Sequence, residues 1–307
     1  MADPPPGIGG AAWGGRVAHR YRTIVDGASA TASRIRGADV TEHGQRIVTL
    51  PGGRRLSLAW AGMTDVGKRR ELNEDAFVAL PPVFAVADGM GGHSAGEVAS
   101  AAVAHRLTLA TEGAEILTVD GLVDALRMAV ADMIDTAEEG ELGMGTTVTG
   151  VVLTADEGEG RVAVFNIGDS RVYRLQDGEL VQMTEDHSIV QELIRAGAIS
   201  PEEAEFHPNS NMITRAVGPS DDPVPDVELF PVQGGARWLV CSDGLTKELT
   251  DHGIWYFLTE GSTPVDAAEL LLRAALDNGG RDNVSVVVLD IAELDDTVAA
   301  PQEQPGS

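Results

Sequence analysis

Short apolar runs rich in β-branched residues recur between residues 46 and 291, and most are bounded by glycine, proline or aspartate. Runs of this length and composition are typical of buried strands. Two of them flank Asp177-Gly178, a dipeptide that favours a tight hairpin turn. The pattern predicts strands over residues 47–50, 56–60, 77–80, 83–87, 146–153, 162–167, 172–175, 180–183, 238–241 and 284–291.

Helical periodicity of the apolar residues is found in fewer segments, and one helix is expected to begin at Ser94, a suitable N-cap. Because candidate hairpins outnumber strand–helix–strand units, we expect an α+β fold in which helices pack on antiparallel sheets. The periodicity predicts helices over residues 94–110, 119–138, 188–196, 201–206 and 264–276.

Length and charge limit the domain organisation and the class of partner. The chain has 307 residues, 43% of them hydrophobic, which is enough for one large domain with a substantial core. The net charge of −26 argues against a nucleic-acid partner. Residues 1–55 carry eight arginines and four acids, hence +4, which leaves −30 for the rest. We expect a flexible basic leader over residues 1–45, one domain over 46–291 and an acidic tail over 292–307.

Cysteine content and hydropathy indicate the compartment. Cys241 is the only cysteine, so the chain has neither a disulfide framework nor a cysteine-based zinc site. No apolar run approaches the roughly 18 residues of a membrane-spanning helix, and the N-terminus lacks the hydrophobic core of a secretory signal. These features predict a cytoplasmic protein that is not associated with a membrane.

Acidic residues stand at the boundaries of the predicted strands. Asp88, Asp169 and Asp243 follow strands, whereas Glu74 and Asp282 precede them. Two carboxylates about 5 Å apart repel by about 3 kcal/mol at an effective dielectric constant near 20, so a shared site requires cations. Ligation by oxygen alone favours Mg²⁺ or Mn²⁺. Two such ions would balance four carboxylates and would activate a water for attack at phosphorus.

Six short motifs carry a family resemblance when they are taken together and in order. They resemble the metal-dependent Ser/Thr protein phosphatases of type 2C, the PPM family, and most of all its bacterial branch, over about residues 57–291. The motifs are Arg70-x-x-x-Glu74-Asp75, Asp88-Gly-Met-Gly-Gly-His93, Gly143-Met-Gly-Thr-Thr147, Gly168-Asp-Ser-Arg171, Ser242-Asp-Gly244 and Gly280-Arg-Asp-Asn283.

The resemblance implies a fold and an activity. The fold would be a four-layer α-β-β-α sandwich of central antiparallel sheets flanked by helices, with a two-metal site at one end. The activity would be hydrolysis of phosphoserine and phosphothreonine in proteins, dependent on two Mn²⁺ or Mg²⁺ ions. In signal transduction such a phosphatase opposes Ser/Thr kinases. Its partners would be phosphorylated proteins and a Ser/Thr kinase, and we expect a monomer.

The resemblance also assigns roles to residues. Asp88 would bridge both metals, and Asp169 would help Asp243 to hold a third, weaker ion. Arg70 would clamp the substrate phosphate, and Asn283 would support metal-bound water. The metal ligands would be Glu74, Asp88, the Gly89 carbonyl, Asp169, Asp243 and Asp282.

The sequence leaves two candidates for the group that donates a proton to the leaving group. Many eukaryotic members place a histidine directly after the Asp-Gly pair, where this chain has Met90, which cannot donate a proton. Either His93 or metal-bound water would take that role. His187 is expected to brace local structure. The segment 188–217 corresponds to a movable flap beside the active site, which would tune substrate choice.

Two other functions compete with the phosphatase interpretation. A non-catalytic regulator with this fold would bind metal without turnover and would keep a stable protein partner. A nucleotide-binding loop over residues 89–96 would require the Gly-Lys-Ser/Thr of a P-loop, which the segment lacks. The complete set of acids favours the enzyme.

Overall fold

The computed structural model describes residues 40–91, 95–137, 143–204, 206–220 and 222–294. These residues form two six-stranded antiparallel sheets. The first sheet has the strand order β1 (Val40–Thr49), β2 (Arg55–Asp65), β12 (Val284–Leu294), β11 (Ala236–Cys241), β8 (Arg171–Gln176) and β9 (Glu179–Gln182). The second has the order β10 (Asp226–Pro231), β7 (Glu159–Ile167), β6 (Val148–Asp156), β4 (Val83–Met90) and β3 (Asp75–Leu80), and the short β5 (Gly145–Thr146) pairs with β4.

Helices cover the outer faces of both sheets. Four of the longer ones begin at a residue whose side chain caps a backbone amide, as Thr118 does for Gly121 N. None of the helices among the described residues is long and apolar enough to cross a membrane. The helices are α1 (Ala95–Thr111), α2 (Val119–Thr136), α3 (Ile189–Arg195), α4 (Pro201–Ala204), α5 (Asp243–Thr246), α6 (Asp251–Glu260) and α7 (Pro264–Asn278).

Three hydrophobic cores separate the layers. The inner core lies between the two sheets and includes Trp60, Phe84 and Trp238. A second core joins α1 and α2 to the second sheet. The third joins α6 and α7 to the first sheet and contains Cys241, which is fully buried in β11. The order helix, sheet, sheet, helix confirms the predicted four-layer α+β sandwich.

The tight hairpin predicted at Asp177-Gly178 is present between β8 and β9. Both residues have positive φ, 52° and 82°, as the mirror-image turn requires. The other predicted strands are also found, several of them longer than expected. β1 begins at Val40 and includes residues 40–45, which the sequence had placed in the leader. Thr41 and Glu42 are buried there, and β1 pairs with β2 over ten residues.

Three elements had no counterpart in the prediction: the strand β10, the one-turn helix α5 and the helix α6. β10 is an edge strand on β7, and its side chains are mostly exposed, so it lacks the apolar run that identified the inner strands. Helix α6 begins after the N-cap Thr250 and buries only Ile254 and Leu258, a one-turn apolar repeat that is too short for a clear periodic signal.

Candidate active site

The site is built on Asp88, whose backbone is held by two buried threonines. Asp88 N donates to Thr147 Oγ1 at 3.0 Å, and Thr147 N donates to Asp88 O at 2.8 Å. Thr146 Oγ1 donates to the same carbonyl at 2.9 Å. Asp75 lies directly opposite Asp88 in the antiparallel register of β3 and β4. The two carboxyl side chains therefore emerge on the same face of the sheet.

Two glycines allow helix α1 to approach the Glu74 segment closely. A Cβ on Gly96 would lie 2.5 Å from Glu74 Oε1 and 2.9 Å from Met90 N, and one on Gly89 would overlap the Gly96 carbonyl. Gly89 N donates to Glu74 O at 3.1 Å. Glycine at both positions thus brings Glu74 beside the end of β4.

Asp169 belongs to a loop that packs on the same threonine as Asp88. Ser170 Oγ lies 2.9 Å from Thr147 Oγ1. Gly168 has φ +116°, and a Cβ there would lie 2.5 Å from Thr147 Cγ2. Thr147 therefore ties the loop after β7 to the end of β4, and Asp169 and Asp88 are positioned together.

Asp243 opens helix α5 directly after β11. The preceding residue, Ser242, donates from Oγ to Asp75 Oδ2 at 2.8 Å and accepts from Ser285 N at 3.0 Å. This bridge joins the first sheet, which carries Asp243, to the second sheet, which carries Asp75. The site therefore lies where the ends of the two sheets meet.

Two cations contact the acids. Lys247 Nζ lies 2.5 Å from Asp243 Oδ2 and 3.0 Å from Asp282 Oδ2. An Arg70 guanidinium nitrogen lies 2.8 Å from Asp282 Oδ1, and a second is 3.9 Å from Glu74 Oε2. The Arg70 side chain is 48% exposed, whereas those of Glu74, Asp243 and Asp282 are 14–17% exposed. Arg70 thus stands at the mouth of a recessed acidic rim.

The pKa values of four acids at the rim are raised, because each carboxyl group is buried near the others. Burial, reinforced by Asp75, Asp243 and Asp169, raises the pKa of Asp88 well above its usual range. Burial also raises the pKa of Asp75 to about 7 and that of Asp169 to about 7, and in both cases Asp243 adds to the effect. The pKa of Asp243 is raised by burial, which Lys247 opposes. These mutual effects place the four carboxyl groups in one cluster.

Asp282 behaves in the opposite way. Burial acts to raise its pKa, but Lys247 and Arg70 together hold the pKa below its usual range. The pKa of Glu74 is raised by burial, against the attraction of Arg70. Asp282 is therefore the best-compensated acid at the rim, because it alone contacts both cations.

The donor set fits hard divalent cations. The rim offers carboxylate oxygens from five separate segments, and Asp243 Oδ1 is buried without a hydrogen-bond partner among the described residues. Within that part of the chain, no three Asp, Glu, His or Cys side chains form a ready-made metal-binding group. The Lys247 ammonium group lies between the Asp243 and Asp282 carboxylates.

Asn283 holds the backbone of the segment that carries Arg70 and Glu74. Its side-chain NH₂ donates to Val66 O at 3.0 Å and to Leu72 O at 2.9 Å, and its Oδ1 accepts from Glu74 N at 2.9 Å. The side chain is buried and directed to the backbone of the Arg70–Glu74 segment, so the structure makes it a positioning residue for that segment. Its predicted support of metal-bound water stays a prediction.

His93 lies outside the described residues, so its predicted role stays a prediction. His187 does brace local structure. Its Nδ1 accepts from Gly168 N at 3.0 Å, and its Nε2 is 3.0 Å from Asp226 Oδ2, which assigns the ring proton to Nε2. His187 O also accepts from Thr214 N at 2.8 Å. His187 thus connects the loop before Asp169 to the predicted flap segment 188–217, through its own carbonyl and through Asp226, which also pairs with Arg215.

The sequence prediction had assigned no role to Asp75 or Lys247. Asp75 was visible as the residue that opens a predicted strand beside Glu74, and its burial is the signal that only the structure provides. Lys247 stands four residues after Asp243, the spacing at which side chains on one helical turn meet. That spacing could have indicated the contact with Asp243, but not the contact with Asp282.

Comparison with known proteins agrees with this geometry. The family model for Protein phosphatase 2C matches residues 68–278. The serine/threonine protein phosphatase PstP of Mycobacterium tuberculosis is 39% identical over 244 residues, which are 78% of this chain and 46% of that protein. The chain therefore spans about half the length of that relative.

One further relative and one solved structure are covered almost completely. The serine/threonine phosphatase stp of Listeria monocytogenes is 36% identical over 239 residues, 74% of this chain and 93% of that protein. The crystal structure of the PstP catalytic domain in complex with two manganese ions matches with a TM-score of 0.69 and 37% identity, and the match covers 77% of this chain and 99% of that one. The chain belongs to the protein phosphatase 2C family.

Proposed function

We propose that this protein is a metal-dependent protein phosphatase that hydrolyses phosphoserine and phosphothreonine in proteins. The observation that carries the proposal is the meeting of acidic residues from five separate segments at one rim, where burial and mutual repulsion raise the pKa values of Asp88, Asp169 and Asp243 although Lys247 and Arg70 lie beside the rim. Membership of the protein phosphatase 2C family and the names of the relatives support the same activity.

The acids are proposed to hold two Mn²⁺ or Mg²⁺ ions. A relative crystallised with two manganese ions supports the choice of metal. When bound, such ions supply the activation of a water for attack at phosphorus. The proposed ligands are Glu74, Asp88, the Gly89 carbonyl, Asp243 and Asp282, and Asp169 would hold a third ion with Asp243.

Other residues of the chain would bind and orient the substrate. The half-exposed Arg70 guanidinium would hold two oxygens of the phosphate group. Asn283 fixes the segment that carries Arg70 and Glu74 through its three backbone contacts. His93 is retained as the candidate donor of a proton to the leaving alkoxide, and residues 188–217 as a flap that influences substrate choice.

The biological setting follows from this activity as part of the same proposal. The substrates would be proteins phosphorylated by Ser/Thr kinases, and the enzyme would act as a monomer in cytoplasmic signal transduction in a bacterium. The domain arrangement would be a basic leader, the phosphatase domain with its flap, and an acidic tail.

Hydrolysis of a phosphothreonine peptide by the full chain, treated with EDTA and then supplied with Mn²⁺, tests the proposal. We expect Mn²⁺-dependent phosphate release that Asp243→Asn abolishes and that Asp177→Asn, in the exposed hairpin turn, leaves intact. Phosphate release without metal, or full activity in Asp243→Asn, would contradict it. Mn²⁺ binding without turnover would instead favour a non-catalytic regulator.

A further inference from the structure

Lys247 is one of only two lysines in the chain, and its ammonium group lies inside the acidic rim. The group contacts Oδ2 of Asp243 at 2.5 Å and Oδ2 of Asp282 at 3.0 Å. Its charge also lowers the pKa of Asp169, against the effects of burial and of Asp243. One ammonium group therefore faces three of the proposed metal ligands.

The contacts of Lys247 differ from those of the other basic residues at this end of the molecule. Arg281 is paired with Glu248, and Lys68 acts on the same glutamate. Arg70 meets Asp282 from the mouth of the site. Of these four cations, only Lys247 contacts Asp243, through Oδ2; the other oxygen, Oδ1, is buried without a hydrogen-bond partner among the described residues.

We propose that Lys247 is an internal cation that competes with a divalent metal ion for Asp243 and Asp282. An ammonium group and a metal ion cannot both take the same carboxylate lone pairs, and their like charges repel at this distance. Metal binding therefore displaces the ammonium group. Lys247 sits at the C-terminal end of the short α5 helix with 33% of its side chain exposed, so its flexible stem can turn outward.

This inference rests on the proposed function, because it takes Asp243 and Asp282 as metal ligands. Its consequence is that the chain carries a built-in limit on metal affinity. In the metal-free protein the same ammonium group offsets repulsion between the acids and so keeps the rim assembled. Lys247 is thus a determinant of how much Mn²⁺ is needed to load the site.

Calorimetric titration of Mn²⁺ into EDTA-treated protein tests the inference. Lys247→Met preserves the length of the side chain and removes its charge, and we expect it to bind Mn²⁺ at least about tenfold more tightly than the wild type. Lys68→Met, which removes the other lysine from an exposed position, is the control and should keep the wild-type affinity. Unchanged or weaker binding by Lys247→Met overturns the inference, whereas absence of Mn²⁺ binding by the wild type overturns the proposed metal site itself.

A second measurement on the unaltered protein applies even if Lys247→Met does not fold without metal. In ¹⁵N-lysine-labelled protein at low temperature, an ammonium group held by two carboxylates exchanges slowly enough to be observed, whereas that of an exposed lysine does not. We expect one ammonium resonance in the metal-free protein, and its loss when diamagnetic Mg²⁺ saturates the site. A resonance that persists with Mg²⁺, or none in the metal-free protein, contradicts displacement of Lys247.

Discussion

Asp75 and Asp88 stand opposite each other across β3 and β4, so that two carboxyl groups share one face at the end of a buried hairpin. Asp75 is fixed from the other sheet by Ser242 Oγ, 2.8 Å from its Oδ2. Burial raises the pKa values of both acids, that of Asp75 to about 7. The pairing stores electrostatic repulsion that a bound cation would relieve.

We predict that the metal-free protein loses stability as pH rises. The folded-state pKa of Asp75 and of Asp169 is about 7, above the ordinary aspartate value of 3.8, so the folded state binds more protons than the unfolded state between those values. The contribution of these groups is fully present below the unfolded pKa and is lost as pH rises through about 7. Thermal melts in EDTA between pH 5 and 8.5 measure this slope.

The substitution Asp75→Asn tests whether Asp75 contributes to this dependence of the melting temperature on pH. Its amide oxygen still accepts from Ser242, but the side chain cannot ionise, so the melting temperature in EDTA should fall less steeply with pH and should be higher than wild type at pH 8. Asp177→Asn, in the exposed turn, should leave the slope unchanged. A slope in Asp75→Asn as steep as that of the wild type would exclude Asp75 as its source.

Thr147→Val should weaken the site as well as the fold. The substitution keeps the shape of the buried side chain but removes the acceptor for Asp88 N and the contact with Ser170 Oγ. Leaving these groups unpaired should cost about 1–3 kcal/mol of the free energy of unfolding. Because Asp88 loses its anchor, Mn²⁺ affinity measured by calorimetry should fall as well.

Thr149→Val provides the control for that substitution on the same chain segment. Thr149 is also buried, but its hydroxyl donates to Phe165 O, away from the acids. Its unfolding free energy should decrease, whereas its Mn²⁺ affinity should match the wild type. Equal losses of affinity in both variants would mean that Thr147 acts only through general stability.

Gly96→Ala should be destabilising although alanine normally stabilises a helix by about 1 kcal/mol relative to glycine. The new Cβ would lie 2.5 Å from Glu74 Oε1 and 2.9 Å from the backbone of Gly89 and Met90 at the end of β4, which cannot yield without moving the acids. Denaturant unfolding should show a lower free energy, and Mn²⁺ affinity should decrease.

Gly121→Ala is the matched substitution in the next helix. Its Cβ would meet the end of the flexible Leu117 side chain at 2.9 Å, which can move aside. This variant should be neutral or slightly more stable, with unchanged affinity for Mn²⁺. A stability gain in both variants would show that the close approach at Gly96 is not required.

His187→Ala should loosen the connection between the Asp169 loop and the predicted flap. The ring accepts from Gly168 N and contacts Asp226, which also pairs with Arg215 of the predicted flap, and both ring contacts disappear in alanine. Amide hydrogen exchange should become faster at Gly168 and across residues 188–217. His207→Ala, whose ring contacts only Asn209 N among the hydrogen bonds described, should leave exchange at Gly168 unchanged.

Much of the fold could be predicted because the inner strands are apolar runs with clear ends. The strand that leads to Asp88 and the one that precedes Asp243 were identified in this way, and so was the hairpin at Asp177-Gly178. β10 was missed because an exposed edge strand has no buried face to shape its sequence. The start of β1 was placed too late because Thr41 and Glu42 are buried polar residues.

The sequence was sufficient to predict which acidic residues form the site, but not which side chains contact one another there. Acids at strand ends indicate a common rim, because the ends of strands in packed sheets lie together. Which groups neutralise them depends on side-chain directions across distant segments, such as Lys247 with Asp282 at a separation of 35 residues. The hydrogen bonds from the Asn283 side-chain amide to backbone carbonyls likewise cannot be predicted from the sequence, because they depend on the path of the backbone around Arg70–Glu74.

Cys241 is the single thiol of the chain, and it lies at the end of β11, two residues before Asp243. Burial raises its pKa to about 12, so in the native state it is neither accessible nor ionised enough to react. A thiol reagent will therefore modify the protein only when the first sheet opens. The rate at which Cys241 is modified therefore reports how often the first sheet opens next to Asp243. The factor by which Mn²⁺ slows this modification would measure how strongly metal binding suppresses that opening.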